Sequence, residues 1–547
     1  MFKRLFGKQI NNITMAAALI ALFSLASRFL GIIRDRILAG QFGAGETLDI
    51  YYAAFRIPDL IFNLVVLGAL SAGFIPIFTS LVKDFKCDKE SCDSQDRNHE
   101  AWTLGNNILQ LLLLTLFCLS VILIVFAPLL IKFISPGYDA EAQKSIVSLT
   151  RIMFLSPLFL GMSGILGGVL QSFKRFLVYS FAPIFYNLGI IIGALYFVDL
   201  WGINGLAWGV VLGAFLHMLV QIPTVCRLGF RIKFKINWKD LNTWKIVKMM
   251  GPRTLSLAIS QINLVVITII ASGLSSGSLT IFNFANNLQS FPIGIFGISY
   301  AIAAFPALSE FAFNKEKLAE NFSGAMRQIL FFIIPATVLI IIFRAQIIRV
   351  VLGTGSFDWQ DTILTMNTLG FFALSLFAQA TLPLLTRVFY ARHNSKTPFY
   401  LGFLSILLNI FLSYFLSAKM GVAGLALAFS IASIFNFLLL WIYLYVKVGT
   451  LDLAHILVSV LKFAFSAIAA GIAAQLMKVV VWPFIDMTKF SGVFIQLLIS
   501  LSVGLLVYIF FCYLVRCEEL SSLFATLRRK LPIQKIKLGD QGEARGN

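Results

Sequence analysis

The sequence predicts an all-α polytopic membrane protein of about fourteen transmembrane helices, arranged as two pseudo-symmetric six-helix lobes plus a C-terminal helix pair. Three observations predict it. Apolar runs long enough to cross a bilayer recur down the chain, basic residues alternate between the connecting loops, and a sequence pattern repeats roughly 220 residues later. The composition excludes a water-soluble fold. Of 547 residues, 59% are hydrophobic and 13% charged, with a mean hydropathy of +0.88, where soluble chains carry about one quarter charged residues. Inside a bilayer only helices and closed barrels satisfy their backbone internally, and continuous apolar runs select helices.

The spans read as 14–38, 49–82, 101–134, 145–170, 177–198, 203–225, 251–273, 277–308, 324–350, 361–389, 399–417, 421–446, 454–478 and 492–516. Several exceed the ~20 residues a crossing needs, so they tilt or project beyond the membrane. The basic MFKRLFGK before the first apolar run could serve a cleaved signal, but the helical pattern continues through Arg28 to Ile37, which favours an uncleaved first helix.

A net charge of +19 invites a nucleic-acid reading. The charges are dispersed among the spans, not gathered on one face, which argues against it. They crowd into Lys3, Arg4 and Lys8, the stretch from Lys83 to Arg97, Lys174–Arg175, Arg227 to Lys248, Lys315 and Lys317, Arg392 and Lys396, and the tail from Arg528. The loops Gln41–Leu48, Asp199–Gly202 and Ser272–Ser278 contain no basic residue. This alternation is the positive-inside pattern, so both termini are expected in the cytoplasm and the number of spans is even. Cys87, Cys92, Cys226 and Cys517 then face a reducing compartment, and Cys118 and Cys512 lie in spans, so no disulfide framework is expected. Cys87, Cys92 and His99 lack a second ligand pair and read as an ordinary loop, with no metal expected.

The repeat organises the chain. Asn187 followed by Gly202-Ile203-Asn204-Gly205-Leu206-Ala207 recurs as Asn409 followed by Gly421-Val422-Ala423-Gly424-Leu425-Ala426, and Phe74-Ile75-Pro76 is echoed by Ala304-Phe305-Pro306. Six spans separate each pair, so the halves share one orientation. The chain divides as 1–225 (helices one to six), 226–450 (seven to twelve), 451–516 (the extra pair) and 517–547 (a basic tail). Two such lobes enclose a cleft that opens alternately to either side; the small residues of the repeat also suit close helix packing.

Charge inside a span costs about 2.5–3.5 kcal/mol on insertion scales and usually faces a cavity or a partner. Arg28, Arg34 and Asp35 lie in the first span. At ~100° per residue Arg28 and Asp35 share a face while Arg34 projects about 120° away, unless Gly31 bends the helix. On the second, Asp49, Tyr52, Arg56, Asp59 and Asn63 form a polar stripe in which Arg56 and Asp59 can pair. Arg36 reads as a headgroup anchor, as do Arg151, Arg344 and Arg349; Arg387 adjoins a span end as well and is kept as a candidate. Spans seven, eleven and twelve carry no carboxylate. A cleft with guanidinium groups and few acids suits an anion, especially a phosphate.

Ser27-Arg28-Phe29-Leu30-Gly31-Ile32-Ile33-Arg34-Asp35, Phe42-Gly43-Ala44-Gly45, Asp49, Phe55-Arg56-Ile57-Pro58-Asp59, Gly68-Ala69-Leu70-Ser71 and Phe74-Ile75-Pro76 resemble the opening of the MurJ/MviN lipid II flippases. The likeness continues through Gln261-Ile262-Asn263 and Phe389-Tyr390-Ala391-Arg392 with Thr397-Pro398. The resemblance implies the fold of the multidrug/oligosaccharidyl-lipid/polysaccharide (MOP) exporters, with a final hairpin beside a lipid-tail groove. It implies transport of undecaprenyl-pyrophosphate disaccharide-pentapeptide for peptidoglycan synthesis in the bacterial inner membrane. By that similarity Arg28, Arg34 and Asp35 match the family's essential cavity residues, and Asp49 matches its acidic position after Phe-Gly-Ala-Gly; Arg56, Asn287 and Arg387 complete the candidate substrate-binding set. The chain departs from the family pattern at helix eight, where asparagines at 286 and 287 stand in place of an arginine, at Asn63 and Leu67, and in lacking a cation-binding acid on helix seven or eleven.

The expected partners are the lipid-linked anion and membrane lipids, with the protein acting as a monomer, in one reading beside cell-wall synthesis machinery. No cofactor is expected; the membrane potential or an ion could drive the cycle. The alternatives are another MOP-type transporter, of polysaccharide-lipid or drug, and a membrane enzyme such as a prenyl-phosphate transferase. The enzyme would need clustered acids or histidines, whereas His99, His217, His393 and His455 are scattered. The charge pattern predicts that introduced cysteines between Arg227 and Lys248 and after Arg516 react only with membrane-permeant reagents. Labelling of the tail by an impermeant thiol reagent on intact cells would overturn the even span count.

Overall fold

The computed structural model describes residues 13–67, 73–82, 99–231, 237–449 and 451–530. Lys3, Arg4, Lys8, the Gly68–Ser71 motif, Cys87, Cys92, Lys535 and Lys537 lie outside the described residues. Among the described residues there is no strand. The helices are α1 (Ile13–Phe42), α2 (Glu46–Ile61, a π-turn at Phe62–Leu67, then Ile75–Leu81), α3 (His99–Ile134), α4 (Ala140–Ser172), α5 (Phe176–Trp201), α6 (Asn204–Arg227) and α7 (Leu241–Ser272). There follow α8 (Ser278–Glu310, with a π-turn at Ile293–Ile298), α9 (Lys315–Val351), α10 (Trp359–Ala373 and Leu376–Ala391), α11 (Lys396–Met420), α12 (Val422–Val448), α13 (Leu453–Phe484), α14 (Phe490–Leu514) and α15 (Glu518–Lys530). Each predicted span falls on one of α1–α14. Ten described helices are long and apolar enough to cross a membrane, and α10, bent by 45°, makes an eleventh if its two parts form one span. The remaining three, α1, α2 and α7, are those not counted by length and apolarity alone.

Polar caps set where several helices begin. Asp139 accepts from the Ala142 amide at 2.8 Å, Asp240 from the amides of Asn242 and Thr243, and Asn314 from Lys317. Asp358 and Asp361 form a reciprocal box at the start of α10. These side chains satisfy amides that the first helical turn leaves without partners.

The repeat is present in the backbone. Gly202 (φ 57°, ψ −144°) and Gly421 (φ 59°, ψ −139°) take the same left-handed turn between α5 and α6 and between α11 and α12. A Cβ on Gly205 would lie 2.3 Å from the Phe197 carbonyl oxygen, and one on Gly424 would lie 2.2 Å from that of Leu416. The π-turns of α2 and α8 recur at nearly the spacing of the Phe-Pro echo. Each of those helices therefore carries, at a corresponding place, an extra residue that loosens the hydrogen-bond ladder.

Two large apolar cores and a small third one hold the molecule. One joins Leu48, Leu104 and Phe154 of the first half to Phe282, Phe372 and Leu425 of the second. The other packs Phe322, Phe331 and Leu384 against Phe463, Tyr508 and Cys512, which seats α13 and α14 on α9. Polar ties reinforce that seat: Tyr508 donates to the Phe331 carbonyl at 2.7 Å, and Gln346 to Gln496 at 3.1 Å. The tail helix α15 is tied down by Arg327, which bonds Glu518 at 2.9 Å and Glu519 at 2.7 Å and holds the Glu518 carboxyl below its usual range.

At the crossing of α5 and α6, a Cβ on Gly189 would lie 2.2 Å from the Gly213 Cα. Gly189→Leu must force the two backbones apart, and a loss of about 1–3 kcal/mol or more is expected. A thermal unfolding midpoint in detergent equal to the native one would contradict this packing.

Candidate substrate cleft

Helix α1 carries the polar residues that face the second lobe. Arg34 bonds Asp35 Oδ1 through Nε at 3.0 Å and Nη2 at 2.8 Å, and its Nη1 reaches Asn187 Oδ1 on α5 at 3.1 Å. Asp35 Oδ2 accepts from Asn287 Nδ2 on α8 at 2.9 Å. The expected divergence of Arg34 from Asp35 does not hold at the level of the side chain. Their Cα positions are one helical step apart, but the long arginine stem folds back to its neighbour. One continuous network thus runs from α5 through α1 to α8.

Arg56 also departs from expectation, because no ion pair with Asp59 forms within 4.0 Å. Its Nε donates to Thr268 Oγ1 on α7 at 2.8 Å and its Nη2 to Asn283 Oδ1 on α8 at 3.0 Å. These neutral acceptors lie on the side that Arg56 faces, so the guanidinium is used across the lobe boundary. Arg34, Arg56, Asp59, Tyr52, His217 and Asn287 line a cavity of about 400 Å³. On its wall, His217 Nδ1 lies 2.6 Å from Ser163 Oγ.

Asp49 does not line this cavity. It is fully buried, and its carboxylate accepts from Gly277 N at 2.8 Å, Thr280 N at 2.8 Å and Thr280 Oγ1 at 2.6 Å. Gly277, at the N-cap of α8, has no side chain to cap with (φ 87°), so an acid from α2 caps α8 from the other lobe. A Cβ on Gly277 would lie 1.8 Å from the Ala44 carbonyl oxygen, so the position requires glycine twice over.

This cap belongs to a seam between the lobes. Ser356 N donates to Gly40 O at 2.8 Å, Ala44 N to Asp361 Oδ2 at 2.9 Å, and Gly137 N to Ser272 Oγ at 3.2 Å. The seam lies at the loops that carry few basic residues. Arg36, expected as a free headgroup anchor, joins it: Nη1 donates to the Val350 carbonyl near the end of α9, and the guanidinium lies 4.9 Å over the Phe490 ring.

Arg28 sits elsewhere along α1. It is exposed, donates to the Ser290 carbonyl at 3.3 Å, and lies against Gly294. Ser290 lines a second cavity, of about 530 Å³, on the other side of α8. Arg387 lines neither cavity, and its Nη1 donates to Pro383 O within its own helix at 3.2 Å. Sequence reasoning did not select Asn187, Asn283 or His217 as site residues. Asn187 was visible only as a marker of the repeat.

The profile of the family described as lipid II flippase MurJ matches residues 38–501. The chain belongs to the lipid II flippase MurJ family. It is 31% identical over 431 residues to a "Probable lipid II flippase MurJ" of Buchnera aphidicola, covering 77% of this chain and 81% of that one. Similarity to the "Lipid II flippase MurJ" of Burkholderia cenocepacia is 26% identity over 442 residues, covering 79% and 83%. Among solved structures, a lipid II flippase MurJ in an inward closed conformation superposes with a TM-score of 0.73 at 25% identity, covering 94% of this chain and all of that one. An inward-facing multidrug-resistance MATE transporter of the MOP superfamily matches with a TM-score of 0.63 at 14% identity over 80% and 98%, which shows the shared fold.

If Asp49 is a cap and not a ligand, Asp49→Ala lowers the stability of the substrate-free protein by about 2 kcal/mol or more, since buried amides lose their acceptor. Unchanged thermal stability of that variant without substrate would return Asp49 to the cleft.

Proposed function

We propose that the protein flips lipid II, the undecaprenyl-pyrophosphate-linked peptidoglycan precursor, from the cytoplasmic to the periplasmic leaflet by alternating access. The observation that carries this reading is the pair of guanidinium groups, Arg34 and Arg56, lining an open cavity to which both lobes contribute in a MurJ family chain. A pyrophosphate leaving water needs charged hydrogen-bond donors, and the planar guanidinium fork fits its oxygens. Arg28, exposed and bonded to one carbonyl, is the cation an incoming headgroup meets with least competition. Arg34 is held by Asp35, so substrate must compete with an internal carboxylate. That competition couples arrival of the phosphate to the α1–α8 contact made by Asn287.

The alternation of basic loops supports fourteen crossings with both termini in the cytoplasm of a bacterial inner-membrane protein. On that topology the seam lies on the periplasmic side, and the cleft belongs to an inward-facing state. We assign residues 1–225 and 226–450 to the two lobes, 451–516 to a surface for the lipid tail, and 517–547 to a cytoplasmic tail. The protein acts as a monomer, makes and breaks no covalent bond, and hands its product to cell-wall synthesis machinery. The membrane potential acting on the charged cleft is a sufficient driving force in kind, since about 2.3 kcal/mol per elementary charge is available at 100 mV.

The test is rescue of a strain depleted of its own lipid II flippase, paired with lipid II binding to purified protein. Arg28→Ala and Arg34→Ala should each weaken binding by roughly ten- to a hundred-fold, because charge-assisted bonds contribute about 1.5–3 kcal/mol each. Arg→Lys should fall between, and Asp35→Asn should impair turnover more than binding. Native binding and rescue by both alanine variants, with each shown to be present in the membrane, would overturn the cationic cleft.

A further inference from the structure

Helix α8 is a wall with a different chemistry on each side. Asn283 and Asn287 face the cavity that holds Arg34, Arg56, Asp59 and His217. Asn286 and Ser290 face the second cavity, whose lining, among the described residues, contains no Asp, Glu, Lys, Arg or His. Its polar groups are amides and hydroxyls, among them Asn263, Gln379, Asn409 and Asn436, set in a largely apolar wall that includes the rings of Tyr390 and Phe399.

Some of these amides hold one another in place. Asn409 donates to Asn263 at 2.7 Å, and Gln379 to Gln289 at 2.9 Å and to Ser375 at 2.8 Å. Others have capacity to spare: Asn436 Oδ1 is buried with no hydrogen-bond partner. A buried acceptor without a donor is unfavourable, so a ligand that donates a hydrogen bond to Asn436 Oδ1 is favoured there. The repeat sharpens the contrast. Asn187 of the first lobe bonds the cation Arg34, while its counterpart Asn409 bonds a neutral amide.

We propose that this second cavity is the subsite for the uncharged sugar portion of the lipid-linked substrate. An uncharged lining gives no compensation for burying an anion, but it matches hydroxyl and acetamido groups donor for acceptor, with aromatic faces for the apolar side of a pyranose. Arg28 marks the junction, because it bonds the carbonyl of Ser290, which lines the cavity, and touches Gly294 just beyond the lining residue Ile293. The phosphate nearest the sugar sits at Arg28, and the first sugar points past Ser290 towards Asn436. The volume of about 530 Å³ lies in the usual range for small-ligand sites. The inference rests on the flippase reading above and adds to it which lobe reads the glycan.

The experiment uses the full-length protein in nanodiscs and two probes, undecaprenyl pyrophosphate without sugars and the same lipid carrying the disaccharide. In the native protein the glycosylated lipid should bind about tenfold more tightly or better, and Asn436→Leu should reduce that ratio by about tenfold. A Ser433→Cys variant, with its cysteine on the cavity wall, gives a readout independent of the leucine substitution. Its alkylation should be slowed by the glycosylated lipid and not by the bare one. Equal protection by both lipids, or an unchanged ratio in Asn436→Leu, would overturn the sugar subsite while leaving lipid binding, and so the flippase reading, standing. Failure of the native protein to bind either lipid would overturn both.

Discussion

The carboxylate of Asp49 at the head of α8 is the contact on which the arrangement of the cleft depends. A helix start leaves four amides without partners, and α8 begins at a glycine that has nothing to offer them. An acid from the opposite lobe fills that role through three hydrogen bonds, so α8 is located relative to α2 and not merely packed near it. Everything that α8 presents follows from this placement. Asn283 meets Arg56, Asn287 meets Asp35, and the next faces round the helix open to the neutral chamber.

The arginines of the cleft differ in how far they are already satisfied, and this difference matters more than their number. Arg34 has a carboxylate and an amide, Arg56 a hydroxyl and an amide, and Arg28 a single carbonyl at 3.3 Å. In a low-dielectric interior an ion pair that is well made is hard to displace, whereas a guanidinium bonded to neutral acceptors gains fully from an arriving anion. Arg36 is a fourth case, in which the cation closes α9 and stacks on Phe490 at the seam.

Fold class, helix positions and the repeat were legible because each is carried by a period or a composition: apolar runs, charge alternation, and glycines with special backbone angles at 202 and 421. The identity of the cationic residues was legible too, since charge inside an apolar run is conspicuous. Their partners were not. Helical spacing suggested Arg56 with Asp59, but the structure pairs Arg56 with Thr268 and Asn283, residues over two hundred positions away whose types carry no signal within apolar helices. Asp49 illustrates the same limit from the other side. Its position in a motif marked it as important, but only the tertiary contact with Gly277 shows that it acts as a cap.

Two of the π-turns, at Phe62–Leu67 in α2 and Ile293–Ile298 in α8, bear on how these helices tolerate change. A π-turn is a helix carrying one residue more than its ladder needs, so residues before and after it follow the 3.6-residue period with separate phases. The capped head of α8 and its asparagines belong to one phase, and the Ala304-Phe305-Pro306 segment belongs to the other. Passing the surplus residue one position along the ladder would turn one segment relative to the other while the hydrogen bonds re-form behind it. Each lobe therefore contains a helix whose two ends can keep different neighbours, a form of local slack built into the repeat itself.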